Sequence, residues 1–384
     1  MKSVRLGVIG LGNIGRHHAN YLHAGQVCRG ELTAVCTSVP NKAAAFPGVR
    51  SFVGAEDLMT SGLVDAVIVA TPHYQHTGLG IAALERGLHL MVEKPISAHK
   101  ADAERLISAA RVHPELVFAA MFQLRVEPRY LVIRNLVQSG ELGEITRVNW
   151  VMTDWYRTEA YYSSGGWRAT WRGEGGGVLL NQCLHNLDIL QWILGMPLRV
   201  RGFCQLGRFH NIEVEDQVSA YFEYRNRATG IFVSSTGEAP GTNRLEITGT
   251  RGRLILEQDK LGLIRNETDV LEFSKQAKSG FAKPGTHYET IAFGSVENPH
   301  AVLIENFVNA ILDQQPLQAP GQEGIHSIEL ANGILFSSLL NQTLEFPIDG
   351  AAWETELQRL VAGSKHKKQM IQVDTDDFTA SFRK

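Results

Sequence analysis

Three stretches of the chain hold residues whose types and spacing suit chemistry. Gly10-Leu11-Gly12-Asn13-Ile14-Gly15 follows a short apolar run directly and opens a segment with helical spacing. In that setting Gly10 permits a tight turn, Gly12 lets backbone approach a pyrophosphate and Gly15 lets helix and strand pack closely. The N–H groups of the first helical turn, from Asn13 and Ile14 onward, then face the negative charge. The second stretch is Glu93-Lys94-Pro95, which closes the apolar run HLMV. An ammonium at the carboxyl end of a parallel strand stands where open α/β sheets bind ligands. The third, GGGVLLNQCLHNLD, spaces Asn181, His185 and Asp188 at i, i+4 and i+7 behind Gly175-Gly176-Gly177. On a helix these polar groups share one face, with Cys183, Leu187, Leu190 and Leu194 on the apolar face. The glycine triplet is expected to clear side chains from in front of a ligand.

The elements that must position these groups follow from the apolar pattern. Arg5–Ile9, Leu32–Cys36, Asp65–Ala70, His89–Val92 and Val117–Met121 read as buried strands, and Ile14–Ala24, His76–Arg86 and His99–Val112 as the crossover helices between them. Residues 1–124 are therefore expected to form a doubly wound parallel sheet of the Rossmann kind. Residues 125–384 read as an α+β domain. Helices are expected at Arg129–Ser139, Leu184–Leu194, Ile304–Leu312 and Ile325–Leu340, among alternating strands at Val218–Tyr224, Ile231–Ser235, Arg244–Thr248 and Arg253–Glu257. The polar tail from Gly363 reads as a loose arm.

A chain of 384 residues exceeds what one core serves, so two domains sharing a ligand cleft are expected. Lys plus Arg number 37 against 40 for Asp plus Glu, a formal charge of -3. That balance gives no electrostatic case for nucleic acid or an anionic membrane and leaves a small molecule as the expected partner. The four cysteines, Cys28, Cys36, Cys183 and Cys204, show no C-x-x-C spacing, which speaks against a zinc cage or a disulfide framework and fits a reducing cytoplasm. No apolar run is long enough to span a bilayer, and none reads as a leader.

At the end of the second strand an acid would normally hold the adenosine ribose, whereas this chain has Thr37 and Ser38. Two cofactors stay open on that pattern. Thr37 can hydrogen-bond the ribose of NAD, or Ser38 and Lys42 can accept the 2′-phosphate of NADP. NAD is slightly favoured.

The glycine fingerprint, Thr71-Pro72 followed by His76, then Glu93-Lys94-Pro95 and Gly175-Gly176-Gly177 with His185, together resemble the glucose-fructose oxidoreductase, inositol dehydrogenase and rhizopine-catabolism (Gfo/Idh/MocA) family. The likeness extends to Val214-Glu215-Asp216-Gln217 and to the turn Ile247-Thr248-Gly249-Thr250-Arg251-Gly252. It implies a Rossmann domain, a C-terminal domain on a large, mainly antiparallel open sheet that pairs subunits into homodimers or homotetramers, and chemistry on sugars, polyols or sugar nucleotides. It also implies cofactor contacts by Gly10, Gly12, Asn13, Ile14, Gly15, Thr37, Ser38, Thr71, Pro72, His76, Glu93 and Lys94. Members usually carry Asp where this chain has Asn181, and an amide holds neither a proton nor a charge. Asp188 matches a structural position. Arg125 matches an arginine near the cleft and is a candidate substrate contact, with a plain surface role equally open.

The chemistry implied is NAD(P)-dependent hydride transfer at a secondary alcohol, whose proton must leave with the hydride. His185 takes that proton, Lys94 stabilises the oxyanion beside the nicotinamide, and Asn181 orients a hydroxyl. The segment between strand and helix interleaves Trp155, Tyr156, Tyr161, Tyr162, Trp167 and Trp171 with Arg157, Arg168 and Arg172. Such residues either stack on and hydrogen-bond a sugar, with Trp155, Arg157, Trp167 and Arg168 as the candidates, or pack an interface. The Asn181-Gln182 pair resembles the branch that oxidises C3 of hexosides. Two other functions remain: an elimination that recycles NAD while cleaving a glycosidic bond, and a dinucleotide-binding regulator, against which Lys94 and His185 speak.

Overall fold

The computed structural model describes residues 2–364, so all but the first two residues of the arm expected from Gly363 lie outside it. Six parallel strands form the first sheet: β1 Val4–Ile9, β2 Gly30–Cys36, β3 Arg50–Phe52, β4 Ala66–Val69, β5 His89–Val92 and β6 Phe118–Ala120. Their order is β3-β2-β1-β4-β5-β6, with every pairing parallel, so the chain reverses direction across the sheet between β1 and β4. The expected doubly wound fold is present, and the apolar runs are almost fully buried because helices cover both faces. The pattern did not reveal β3 or the short helix Ala55–Met59, since β3 is three residues of an edge strand with two of them exposed.

The second sheet has nine strands: β7 Ile145–Met152, β8 Arg199–Leu206, β9 Glu215–Glu223, β10 Thr229–Ser235, β11 Asn243–Gly249, β12 Gly252–Glu257, β13 Lys260–Asn266, β14 Thr286–Ile291 and β15 Leu344–Glu345. Their order is β14-β13-β12-β11-β7-β10-β9-β8-β15. Only β7 with β10 is parallel. The alternation read from the sequence holds in β9, where Val218, Ala220 and Phe222 are buried and Tyr221 faces out. The helix Gly324–Leu340 lies on the covered face. Ser337 and Ser338 accept the N–H groups of Gly202 and Cys204. A Cβ at Gly202 would stand 2.1 Å from Ile334 O, so only glycine admits this approach.

Two apolar clusters match the two sheets, and the helix Pro299–Asp313 returns to the first through Ala301, Leu303, Ile304, Phe307 and Val308. The chain thus re-enters the first layer after β14 and then returns to add β15 to the second sheet, which fastens the two layers together. Among the described residues no helix is long and apolar enough to cross a membrane, and all four cysteines are free.

Candidate active site

β1 ends in the turn at Gly10, which adopts φ +97. A Cβ there would lie 2.6 Å from Ala70 O, and one on Gly15 would lie 1.8 Å from Gly10 O. A Cβ on Gly12 would meet nothing within 4 Å. Two of the glycines are therefore demanded by packing, while the third faces open space above the helix Asn13–His23. That helix has no side-chain cap and no acid in its first turn, so its N–H groups are available to an anion. Beside them Thr71 Oγ1 is shut off from solvent with no hydrogen-bond partner among the described residues. A dinucleotide pyrophosphate fits this cradle. At the end of β2, Thr37 is nearly buried, and its Oγ1 accepts the Val39 N–H, while Ser38 and Lys42 are exposed.

His76 and Glu93, both expected at the cofactor, have their polar atoms engaged within the protein. His76 Nδ1 lies 2.7 Å from Pro95 O and its Nε2 2.7 Å from Thr71 O. The ring staples the loop after β4 to the loop after β5. Glu93 Oε1 meets His18 Nε2 at 2.6 Å, and Oε2 accepts the Lys94 N–H. Burial alone would raise the Glu93 carboxyl, but the His18 hydrogen bond and nearby positive charge outweigh it and hold the group below its ordinary range.

Lys94 extends from the end of β5 and donates from Nζ to Asn181 O at 2.7 Å. Burial pulls its ammonium below the ordinary lysine range, with Glu93 and Glu174 opposing the pull. Asn181 is not helical, because the helix begins at Leu184. The expected i, i+4, i+7 face is thus corrected: Asn181 stands in the turn before the helix and reaches Lys94 through its backbone. His185 stands in the first turn, 9% exposed, with Nε2 3.3 Å from Gln123 Nε2. Gln123 follows β6, the neighbour of β5. Lys94 and Gln123 therefore leave the carboxyl ends of adjacent strands and meet, respectively, the turn and the helix that carry Asn181 and His185.

Asp188 is fully buried, and so is Arg125, which corrects both the surface and the substrate-contact expectation for that arginine. Arg125 Nε and Nη2 each lie 2.7 Å from an Asp188 oxygen, and Nη1 bonds Glu323. The pair anchors the His185 helix to the segment after β6.

Packing also demands glycine within the triplet. A Cβ on Gly177 would stand 2.0 Å from Glu215 O, and one on Gly176 would strike Leu180. Gly176 and Gly177 lie against the start of β9, where Glu215 Oε1 accepts the Gly177 and Leu179 N–H groups at 2.8 and 3.1 Å. Burial pushes the Glu215 carboxyl up to about 7. A folded-state value above the unfolded one makes its contribution complete below about 4.5 and lost as pH rises through about 7. Glu215→Gln keeps an oxygen for both N–H groups and removes the titration. Its denaturation midpoint, measured against wild type, is expected to gain steadily between pH 4.5 and 7; a gap that stays constant with pH refutes the assignment.

Of the aromatics between β7 and the helix, Tyr162 and Trp171 belong to the core. Trp155, Tyr161 and Trp167 build a stack with Arg157 and Arg168. The Arg157 guanidinium lies 5.5 Å from the Trp155 ring centre and 5.2 Å from that of Tyr161, and the Arg168 guanidinium 4.6 Å from Tyr161 and 4.8 Å from Trp167. Gln182 joins Tyr161 at 3.2 Å, and Trp167 packs edge-on to His73. The stack thus borders the turn that holds Asn181.

Three residues here were not singled out from the sequence: Gln123, His73 and Glu174. His73 Nδ1 pairs with Glu174 O at 3.1 Å. Glu174 is 2% exposed; Oε2 accepts the Ala169 N–H at 2.5 Å, and Oε1 accepts from the Asn181 amide. That grip holds Ala169 at φ +47, a region costly for a residue with a Cβ. A carboxylate directly before a glycine triplet was the available signal.

Residues 4–121 match the family model described as an oxidoreductase family NAD-binding Rossmann fold, and residues 130–255 match the GFO/IDH/MocA C-terminal domain. The chain is 27% identical to an inositol 2-dehydrogenase of Corynebacterium glutamicum over 198 residues, which span 50% of this chain and 55% of that protein. It thus spans about half the length of that relative. Over 347 residues it is 24% identical to the inositol 2-dehydrogenase of Rhizobium meliloti, covering 87% of this chain and 97% of the other. The WlbA dehydrogenase of Bordetella pertussis, solved with NADH and UDP-GlcNAcA, superimposes with a TM-score of 0.75 at 24% identity, over 90% of this chain and 100% of that one.

Proposed function

Because the chain belongs to the GFO/IDH/MocA oxidoreductase family and its first domain is that family's NAD-binding Rossmann domain, we propose that it transfers a hydride between nicotinamide and a secondary hydroxyl of a sugar, glycoside or cyclitol. The observation that carries this reading is the bond from Lys94 Nζ to Asn181 O, which brings the end of β5 to the turn entering the His185 helix. Bound NAD supplies the hydride acceptor. Gly10, Gly12, Gly15 and the N–H groups from Asn13 and Ile14 onward would hold its pyrophosphate, with Thr37 and Ser38 available to the ribose and Thr71 and Pro72 as further cofactor contacts.

Lys94 orients the reacting oxygen and stabilises negative charge on it, and His185 accepts the hydroxyl proton. In reduction the same imidazole returns the proton. Asn181 holds the Lys94 ammonium through its carbonyl and orients a substrate hydroxyl, and Trp155, Arg157, Trp167 and Arg168 line the approach. A role at C3 of a hexoside rests on the Asn181-Gln182 pair. The inositol and nucleotide-sugar ligands of the relatives support the substrate class. The open face of the second sheet supports a homo-oligomer: Tyr221 stands opposite Ile231, near Phe203, and the three are 39, 46 and 57% exposed. Four free cysteines suit a reducing cytoplasm.

The test is a screen of sugars, hexosides and cyclitols with NAD and NADP, read by reduced-nicotinamide absorbance. Stoichiometric NADH with at least one of them is expected. Glycoside cleavage without net NADH overturns the reading in favour of elimination, and coenzyme binding with no turnover of any member favours a regulator.

A further inference from the structure

Asn181 touches two charged residues with two different groups. Its carbonyl accepts from the Lys94 ammonium at 2.7 Å, and its side-chain amide donates to Glu174 Oε1. Glu174 is enclosed, and both of its oxygens are held, by Asn181 and by the Ala169 N–H. We propose that Glu174 is the counter-charge of this site, a positioning residue that acts through Asn181 to keep the Lys94 ammonium both charged and in place.

The argument begins with the cost of burying an ammonium. A lysine removed from water loses its proton unless negative charge stands near it. The charged groups acting on Lys94 are Glu93, Glu174 and Arg168. Glu93 is engaged elsewhere, one oxygen on His18 and the other on the backbone N–H of Lys94. Arg168 acts in the wrong direction. Cys183 holds its proton, its thiol pushed well up by burial. His73, His76 and His300 also face Lys94, and burial lowers all three, which works against a positive charge on any of them. Glu174 is the carboxylate left on the Asn181 side of the ammonium. An amide at 181 lets a single carboxylate serve there, since a second acid in contact with Glu174 would force the two to share a proton. Burial does raise the Glu174 carboxyl, and Arg168, the Ala169 N–H, Asn181 and Lys94 all favour its ionised form.

The proposal rests on the dehydrogenase reading for its consequence in catalysis but not for its measurement. Lys94 is titrated by competitive acetylation with limiting acetic anhydride across pH, with peptide mass spectrometry as the readout, in wild type, Glu174→Gln and Glu174→Gln/Asn181→Asp. In the single variant the midpoint of Lys94 is expected to fall by about one pH unit, the size an opposite charge at this range commonly produces. The alkaline limb of kcat shifts down with it. In the double variant the carboxylate sits on the other side of the same hydrogen bond, and both quantities return toward wild type. A packing role for Glu174 moves neither midpoint nor limb. An unchanged midpoint in Glu174→Gln, or a double variant no different from the single, overturns the proposal. If Glu174→Gln does not fold, Glu174→Asp, which withdraws the carboxylate by one methylene, replaces it, and a wild-type midpoint there overturns it equally. If wild type oxidises no sugar, the function reading fails while the acetylation result still decides the role of Glu174.

Discussion

Lys94→Ala is expected to lower turnover by at least about a hundredfold, the usual consequence of losing a group that steadies charge on a reacting oxygen. The coenzyme cradle at Gly10–Gly15 is a separate loop, so NADH affinity, followed by its fluorescence, should change little. His185→Ala is expected to act on the same scale, because a positioned proton acceptor contributes about two to four orders of magnitude. The two residues differ in how they are held. Lys94 hangs from a strand end and is fixed by one hydrogen bond to Asn181. His185 stands on a helix whose next turn is locked by Arg125 and Asp188. Turnover near wild type in either variant removes that residue from the mechanism.

Arg125→Ala carries the second large effect, and it is an effect on folding. Asp188 has no exposed surface, and the variant leaves its carboxylate with one remaining side-chain donor, Gln191 at 3.0 Å. Breaking one half of a buried pair costs about 3 to 5 kcal/mol, because the surviving charge keeps its desolvation penalty. A fall of that order in unfolding free energy, measured by denaturant titration, is expected. A substrate-contacting arginine would instead raise KM with stability unchanged, and that result would refute the structural role. Arg125→Ala/Asp188→Ala should recover part of the loss, since it removes the stranded charge together with its partner.

The same residues show why spacing alone misplaced part of the site. Asn181, His185 and Asp188 were legible as polar positions with helical separation, and their types were read correctly. Helical separation assumes a helix, and this one starts only at Leu184, after the turn that follows Gly177 on β9. Asp188 then faces a partner on another element, Arg125, which no local pattern encodes. Glu174 was overlooked for a related reason. A lone carboxylate in a glycine-rich turn looks solvated until the turn folds back on Ala169 and Asn181.

The sequence by itself determined the parallel β/α order of the first 124 residues, the phosphate turn at Gly10–Gly15 and the strand-end position of Lys94. Each follows from contacts within a few residues or from the 2.0 and 3.6 periods of strand and helix. Only the tertiary structure decided the partners of the buried charges: His18 for Glu93, Asp188 for Arg125, Asn181 for both Lys94 and Glu174. A charge in low dielectric survives on whatever group the fold brings within a few ångströms, and those groups here are 7 to 87 residues away along the chain.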